Sequence, residues 1–476
     1  MTNSGKTVVP LQDELPSLIE SLRVPAGSDP RFATMESIAA NYQAFQAIAH
    51  GVWKEIHNRS IDAIMTMEGI LSPERRKAMP PAMVFYFERC IQIWRRMNDA
   101  LIWVLLGYKD HVIRTVCHRK ERPLLASANP GPMRKLLENL NMDPQSIAIW
   151  TDATTCVDVG DVFCRAPRGK PNGFLEVKEG AMNDKIFELL RAKGSPAEIA
   201  VQIDAFVQEN GPKALKQLER VIRQRTRYNE VLDIVQYEKG YDSRRDAEVT
   251  IEESRVALES YDADLQTIID EAGESPLLRS VDRCLWIYVD RNREKSSAQK
   301  IEDFREAIRT AVPDALPWIE QNFEGKLPFE AIPLEANLYT PEAVPIFLRP
   351  LRAETIRDVL LGNLMDSVYL FLDWQELGTM VQEHGAELVW STFKQGRREQ
   401  AKPYGQRMLT IGERVPRFQT KDGRFVEGFS KIYRIYFDGF TPSSIIAQYA
   451  EMLQAPRDQR DTEAPSPDNP ESDRTD

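Results

Sequence analysis

Residues 146 to 180 decide the fold: SIAIW (146–150), TTCVDVGDVFCRA (154–166), the connector APRGKPNG and GFLEVKEG (173–180). The first, second and last of these are short, rich in β-branched and aromatic residues and broken by Gly and Pro, which is the chemistry of strands. APRGKPNG supplies the turn between the second and third. Long helical patterns follow over about 196–236 and 248–272, and VDRCLWIYVD (281–290) reads as a return to strand. Upstream, MESIAANYQAFQAIAHGVWKEIH and MVFYFERCIQIWRRMNDALIWVLLG space their apolar residues by three and four, which predicts helices across 35–107. The order is therefore helix, three strands, helix, strand.

Alternation along a strand puts Glu176 and Lys178 on one face and Val177 on the other. Asp161 stands on the preceding strand beside Gly160, whose missing side chain permits a bulge or a close backbone approach. If APRGKPNG closes a hairpin, Asp161 and Glu176 converge. Two neighbouring carboxylates repel each other, and a divalent cation between them holds both ionised. Oxygen-only ligands favour Mg²⁺ or Mn²⁺ over zinc. An ammonium at Lys178 would then orient a water or offset charge on a phosphate, which is the equipment for phosphodiester hydrolysis.

GDVF followed by FLEVKEG resembles the PD-(D/E)xK nuclease superfamily, over roughly residues 130 to 290. The resemblance implies a restriction-endonuclease-like mixed sheet in the order α-β-β-β-α-β. It implies a catalytic trio of Asp161, Glu176 and Lys178, with Asp161, Glu176 and the carbonyl of Val177 on the metal. It also implies a Gln or basic residue on the following helix, a place that Gln217 fills. Two features depart from the family pattern. About a hundred residues separate E-x-K from the next good strand, so 248–272 is expected to be a helical insertion. The upstream acid is not obvious either, with Glu138, Asp152 and Asp158 as candidates.

KALKQLERVIRQRTR carries Lys213, Lys216, Arg220, Arg223 and Arg227 along one helical face, with Leu215, Leu218 and Ile222 on another for packing. With Arg225 and Glu219 counted, the helix holds a local excess of five positive charges within a chain of net charge -11. Lys213, Lys216, Gln217, Arg220 and Arg223 are thus expected to meet nucleic acid, DNA ahead of RNA. The competing reading is a solvated face paired with the acid-rich segment 229–271. A second basic cluster, KDHVIRTVCHRKER (109–122), either approaches phosphates from the other side or solubilises a loop. Its Arg114 and His118 admit a further reading, an RNase in the helical region. E-x-K alone is weak, because charges alternate on any solvated strand.

The 476 residues exceed what one core usually serves. The expected regions are a helical part (1–107), a nuclease-like core (108–300), an α+β C-terminal domain (301–454) and an acidic, Pro-rich tail (455–476) for which disorder is expected. AVPIFLRPL, SVYLFLDW and KIYRIYFDGF read as strands, TKDGRF as a turn, and TPSSIIAQYAEML as a capped helix. Cys90, Cys117, Cys156, Cys164 and Cys284 form no metal or disulfide spacing, so reduced cytoplasmic thiols are expected. No signal peptide and no long apolar run is read, and no membrane partner is expected. No phosphate loop, dinucleotide fingerprint, zincin motif or serine elbow is present.

The sequence therefore predicts an α+β or α/β, Mg²⁺- or Mn²⁺-dependent endonuclease, by family analogy suited to restriction, repair or antiviral defence. A protein partner at the C-terminal domain or tail and a homo-oligomer both remain open. The alternative is a nuclease-like scaffold that has lost activity.

Overall fold

The computed structural model describes residues 11–117, 123–127, 130–165, 173–176, 181–191, 195–237, 239–243, 247–250, 256–315, 332–401, 413–420, 425–426 and 432–454. It is an α+β structure. Seven helices lead: α1 (Leu11–Arg23), α2 (Met35–Ala40), α3 (Tyr42–Ile70), α4 (Pro73–Ala78), α5 (Pro81–Leu105), α6 (Asp110–Val116) and α7 (Pro130–Leu140). In α1, Leu11, Leu15, Leu18, Ile19 and Leu22 make one apolar stripe and all are buried. In α5 the stripe of Ile93, Met97, Ala100 and Leu101 is joined by buried Arg95, Arg96, Asn98 and Asp99.

Three strands follow as an antiparallel meander: β1 (Ile147–Trp150), β2 (Val162–Arg165) and β3 (Gly173–Leu175). Val162 pairs with Leu175 and Phe163 with Phe174, whose rings lie 5.2 Å apart. Helices α8 (Ala181–Arg191), α9 (Pro196–Asn210) and α10 (Pro212–Tyr237) come next, α9 and α10 broken by Gly211-Pro212. Ile186, Phe206, Ala214, Leu218 and Val221 give these helices a small core of their own. Farther along α10, Val231 and Ile234 are also buried, and this end packs against α6 and β4 (Lys239–Asp242), which pairs with β5 (Ala247–Thr250).

A second sheet holds β6 (Leu277–Val281), β7 (Leu285–Val289), β8 (Ile332–Pro333) and β9 (Val368–Leu372) in the order β6-β7-β9-β8, all antiparallel. α11 (Asp262–Glu271) packs on β6 and β7, α12 (Ser297–Ala311) sets Phe304 against Tyr288 and Tyr369 of the sheet, and α13 (Ala353–Leu361) packs on α1. Beyond lie α14 (Trp374–Glu383), β10 (Ala386–Trp390), α15 (Phe393–Gln400), β11 (Pro416–Thr420), β12 (Phe425–Val426) and α16 (Pro442–Gln454).

Several expectations are corrected. The strand within VDRCLWIYVD does not join the β1–β3 sheet, because β6 and β9 occupy both its edges. In the expected insertion at 248–272, residues 248–250 belong to strand β5, and the helix among the described residues is α11. AVPIFLRPL forms a short 3₁₀ turn at Ile346–Leu348, since prolines on both flanks remove ladder donors. KIYRIYFDGF folds as a helix ending in a π turn at Arg434–Asp438. Its buried apolar residues come as doublets, Ile432-Tyr433 and Ile435-Tyr436, which is helical spacing and not alternation. SVYLFLDW and TPSSIIAQYAEML form the expected strand and helix. The turn of TKDGRF and the tail lie outside the described residues.

Boundaries at 107 and 300 do not coincide with breaks in the core. One apolar core runs from Leu11 to Tyr449, and the second sheet joins strands from both sides of residue 300. Arg23 of α1 donates to the carbonyls of Phe347 at 2.6 Å, Leu351 at 2.7 Å and Arg349, fastening the N-terminal helix to the C-terminal half. Among the described residues, no helix is long and apolar enough to cross a membrane.

Candidate active site

The site is built on the buried polar residues of α3 and α5. The Trp150 amide, at the end of β1, donates to His57 Nε2 at 3.0 Å, and His57 Nδ1 lies 2.9 Å from Asn98 Oδ1. With Nε2 accepting, the proton sits on Nδ1. Burial depresses the His57 pKa to about 4, so the imidazole is neutral and can keep both bonds. Asn98 Nδ2 donates to the Ala153 carbonyl at 2.9 Å. Asp99 Oδ1 accepts from the amides of Thr155 at 2.8 Å and Cys156 at 3.3 Å, while Arg96 supports its other oxygen at 2.9 Å. The connection from β1 to β2 is therefore fixed at 153, 155 and 156 before it reaches Asp158, whose amide donates to the Val116 carbonyl at 3.2 Å.

Gly160 then makes the close approach. Its φ of +67° is left-handed, and a Cβ there would stand 3.0 Å from both the Leu175 carbonyl oxygen and Phe174 Cβ. Thr151 Oγ1 donates to the Gly160 carbonyl at 2.7 Å, and the Thr151 amide to the Asp161 carbonyl at 3.0 Å. The Asp161 amide donates to the Leu175 carbonyl at 2.7 Å. One step beyond the Val162–Leu175 pair, Asp161 and Glu176 occupy facing ends of neighbouring strands, as the hairpin argument expects.

Glu176 opens onto a cavity of about 580 Å³, with Asp158 and Gly160 beside it. The lining also holds four arginines: Arg191 at the end of α8, and Arg223, Arg225 and Arg227 on α10. Arg227 is fixed by Asp242 at 2.9 Å, Glu230 at 3.3 Å and the Thr115 carbonyl at 2.7 Å, which ties α10 to α6 and β4. Phe174, Phe187 and Tyr228 provide the apolar surface. With Arg227 engaged by Asp242 and Glu230, two acids share the cavity with Arg191, Arg223 and Arg225, a set of charges suited to an anion and a small cation together.

The residues expected from sequence separate into groups. Glu176 and Arg223 line the cavity, and so does Asp158, one of three candidates for the upstream acid. Asp161 is half-buried at the neighbouring strand position and is not part of the lining. Glu138 is exposed on α7, and the Asp152 carbonyl is bound by Arg95 of α5. Lys213, Lys216 and Arg220 are exposed along α10 outside the cavity. Gln217 donates to Asn183 Oδ1 of α8 at 3.0 Å and so braces two helices instead of facing the site. Ala214, Leu218 and Val221 make the buried face of α10, whereas Ile222 is 40% exposed, because the apolar stripe runs one residue earlier than expected. Val177 and Lys178 lie outside the described residues, as does His118. Arg114 pairs with buried Asp438 at 2.6 Å, a structural employment that weakens an RNase reading of the helical region.

Arg191, Gln224 and Asn229 complete the lining without a sequence signal, since only the fold of α8 against α10 brings them together. The donor chemistry suits a hard cation. Mg²⁺ is commonly held by one or two carboxylates, its remaining positions filled by water and substrate phosphate, and Glu176 with Asp158 or Asp161 meets that pattern. Among the described residues, no group of three or more His, Cys, Asp or Glu side chains is placed to hold a metal. Burial pushes the Cys164 thiol to about 11 and raises Cys90, Cys156 and Cys284, so none of these four is a thiolate nucleophile near neutral pH. None of the five cysteines is joined in a disulfide.

Comparison with family models, curated proteins and solved structures returned no match.

Proposed function

We propose that this chain is a metal-dependent nuclease whose site is the cavity between β3 and α10. The observation that carries the reading is Glu176 sharing one cavity with Asp158 and with arginines from two helices. The local order supports it: α7, three antiparallel strands and α8 reproduce the first five elements of the α-β-β-β-α-β pattern expected of a restriction-endonuclease-like core. The final strand of that pattern is missing from this sheet among the described residues, which limits the likeness to those five elements.

Glu176 with either Asp158 or Asp161 would hold Mg²⁺ or Mn²⁺, with the Val177 carbonyl as the further ligand that the family resemblance implies. When bound, such an ion polarises a phosphate oxygen and lowers the pKa of water. Arg191, Arg223 and Arg225 bind phosphate oxygens and offset the charge that grows there as the reaction proceeds. Lys178, which lies outside the described residues, would orient the attacking water, a role that rests on the sequence pattern alone. Water oxygen bonds to phosphorus, the bond to the leaving sugar oxygen breaks, and that oxygen is protonated. Lys213, Lys216 and Arg220 extend the cationic track along α10 outside the cavity, so the substrate is a polyanion, DNA ahead of RNA. Cysteines that form no disulfide accord with a cytoplasmic location.

The shortage of a three-residue metal cluster among the described residues favours one competing reading, a scaffold that binds nucleic acid without cutting it. Incubating the protein with plasmid, linear single strand and RNA in Mg²⁺, Mn²⁺ or EDTA, read on a gel, separates the two. Metal-dependent cutting of any substrate supports the nuclease, and intact substrates in both metals refute it.

A further inference from the structure

We infer that the cavity beside Glu176 seats one unstacked nucleobase, so that the substrate is single-stranded nucleic acid; this rests on the nuclease reading above. A site for phosphate and a metal ion needs only charge and a little room. This cavity offers about 580 Å³, many times the roughly 30 Å³ of a water molecule and within the range of sites that enclose organic ligands. Phe174, Phe187 and Tyr228 line it alongside the arginines. Aromatic faces next to guanidiniums are what holds a base and its phosphate together, since any base stacks on a ring while the cations take the backbone. Phe174 is only 6% exposed and braced by Phe163, so that wall is rigid, while Phe187 and Tyr228 are half-buried. The amides of Gln224 and Asn229 add donors and acceptors for a base edge.

A stacked base pair cannot enter such a recess. Duplex would have to extrude the nucleotide and meet an unstacking penalty that a single strand largely escapes. Exposed Arg220 and Lys216 lie about one and two helical turns before Arg223 on α10, outside the cavity, where the continuing backbone would run.

The test is fluorescence anisotropy in EDTA, where nothing is cut, with three probes: a short oligothymidylate, its duplex, and an abasic strand of equal length and charge. The single strand should bind about tenfold more tightly than either other probe. Phe187→Ala should weaken binding of the oligothymidylate by about tenfold and leave binding of the abasic strand unchanged, a difference that misfolding would not produce. Equal binding of all three probes overturns the base seat, and leaves the nuclease reading standing if the metal-dependent gel assay still shows cutting. Base-dependent binding without cutting in Mg²⁺ or Mn²⁺ keeps the base seat and removes the nuclease.

Discussion

Replacing Gly160 by Ala tests the geometry that brings the two strand ends together. The residue has φ +67°, and an added Cβ would meet the Leu175 carbonyl oxygen and Phe174 Cβ at 3.0 Å and the Leu175 carbonyl carbon at 3.4 Å. The left-handed conformation alone costs an Ala about 1–2 kcal/mol. The contact adds to this, because two of the three atoms it presses are backbone atoms of a three-residue strand, so the total is roughly 1–3 kcal/mol. Gly173→Ala is the matched control in the same hairpin, since a Cβ there meets nothing within 4 Å and its φ is ordinary. Denaturant midpoints for wild type and both variants read the difference. Gly160→Ala should be the least stable of the three, with Gly173→Ala close to wild type. Glu176 directly follows Leu175, so cutting should fall further than stability alone explains, as ångström displacements at catalytic groups do. Equal midpoints for the two variants would refute the close approach of the 160–161 turn to β3.

Further outcomes follow from the supports of the site. Because the folded pKa of His57 lies near 4, below the ordinary 6.5, the unfolded chain takes up a proton first as pH falls. The stability this group contributes is complete above about pH 6.5 and declines toward pH 4, with about 2 kcal/mol gone at pH 5. Glu335, raised to about 8 by burial, acts in the opposite sense between pH 4.5 and 8 and gains about as much as His57 loses, so the urea midpoint of wild type should change little from pH 7 to pH 5 while that of His57→Gln, freed of the loss, should rise. Arg349 and Asp262, both almost fully buried, are bonded at 2.8 and 2.5 Å; Asp262→Ala strands the guanidinium and should cost about 3–5 kcal/mol in equilibrium unfolding. Lys216→Ala combined with Arg220→Ala should flatten the plot of log affinity against log salt by about 1.4 for a single strand, and an unchanged slope would place the nucleic acid elsewhere.

Local chemistry carried much of the reading. The strands at 147–150 and 173–175, the need for Gly at 160 and the facing positions of Asp161 and Glu176 all follow from composition, alternation and turn residues. What sequence could not supply was tertiary in origin. The 285–289 strand has the composition expected of a fourth nuclease strand, yet pairing depends on which edges are open, and β6 and β9 fill both. Asp158 and Asp161 are equivalent by type, and the left-handed turn between them determines which one enters the cavity. In α5 the charged residues at 95, 96 and 99 read as an interruption of an apolar stripe. Their role as anchors for the 151–156 segment becomes visible only once partners distant in sequence are in place.

The most direct measurement is the initial rate of cutting of a labelled strand in saturating Mg²⁺ by wild type, Glu176→Gln and Asp158→Asn, each confirmed as folded by circular dichroism. Wild type should cut, Glu176→Gln should lose at least about 10²-fold in rate, and Asp158→Asn should lose less, since Asp161 stands beside it as a second acid. Cutting by Glu176→Gln at the wild-type rate would contradict the account, because the carboxylate on which the site is built would then take no part in the chemistry.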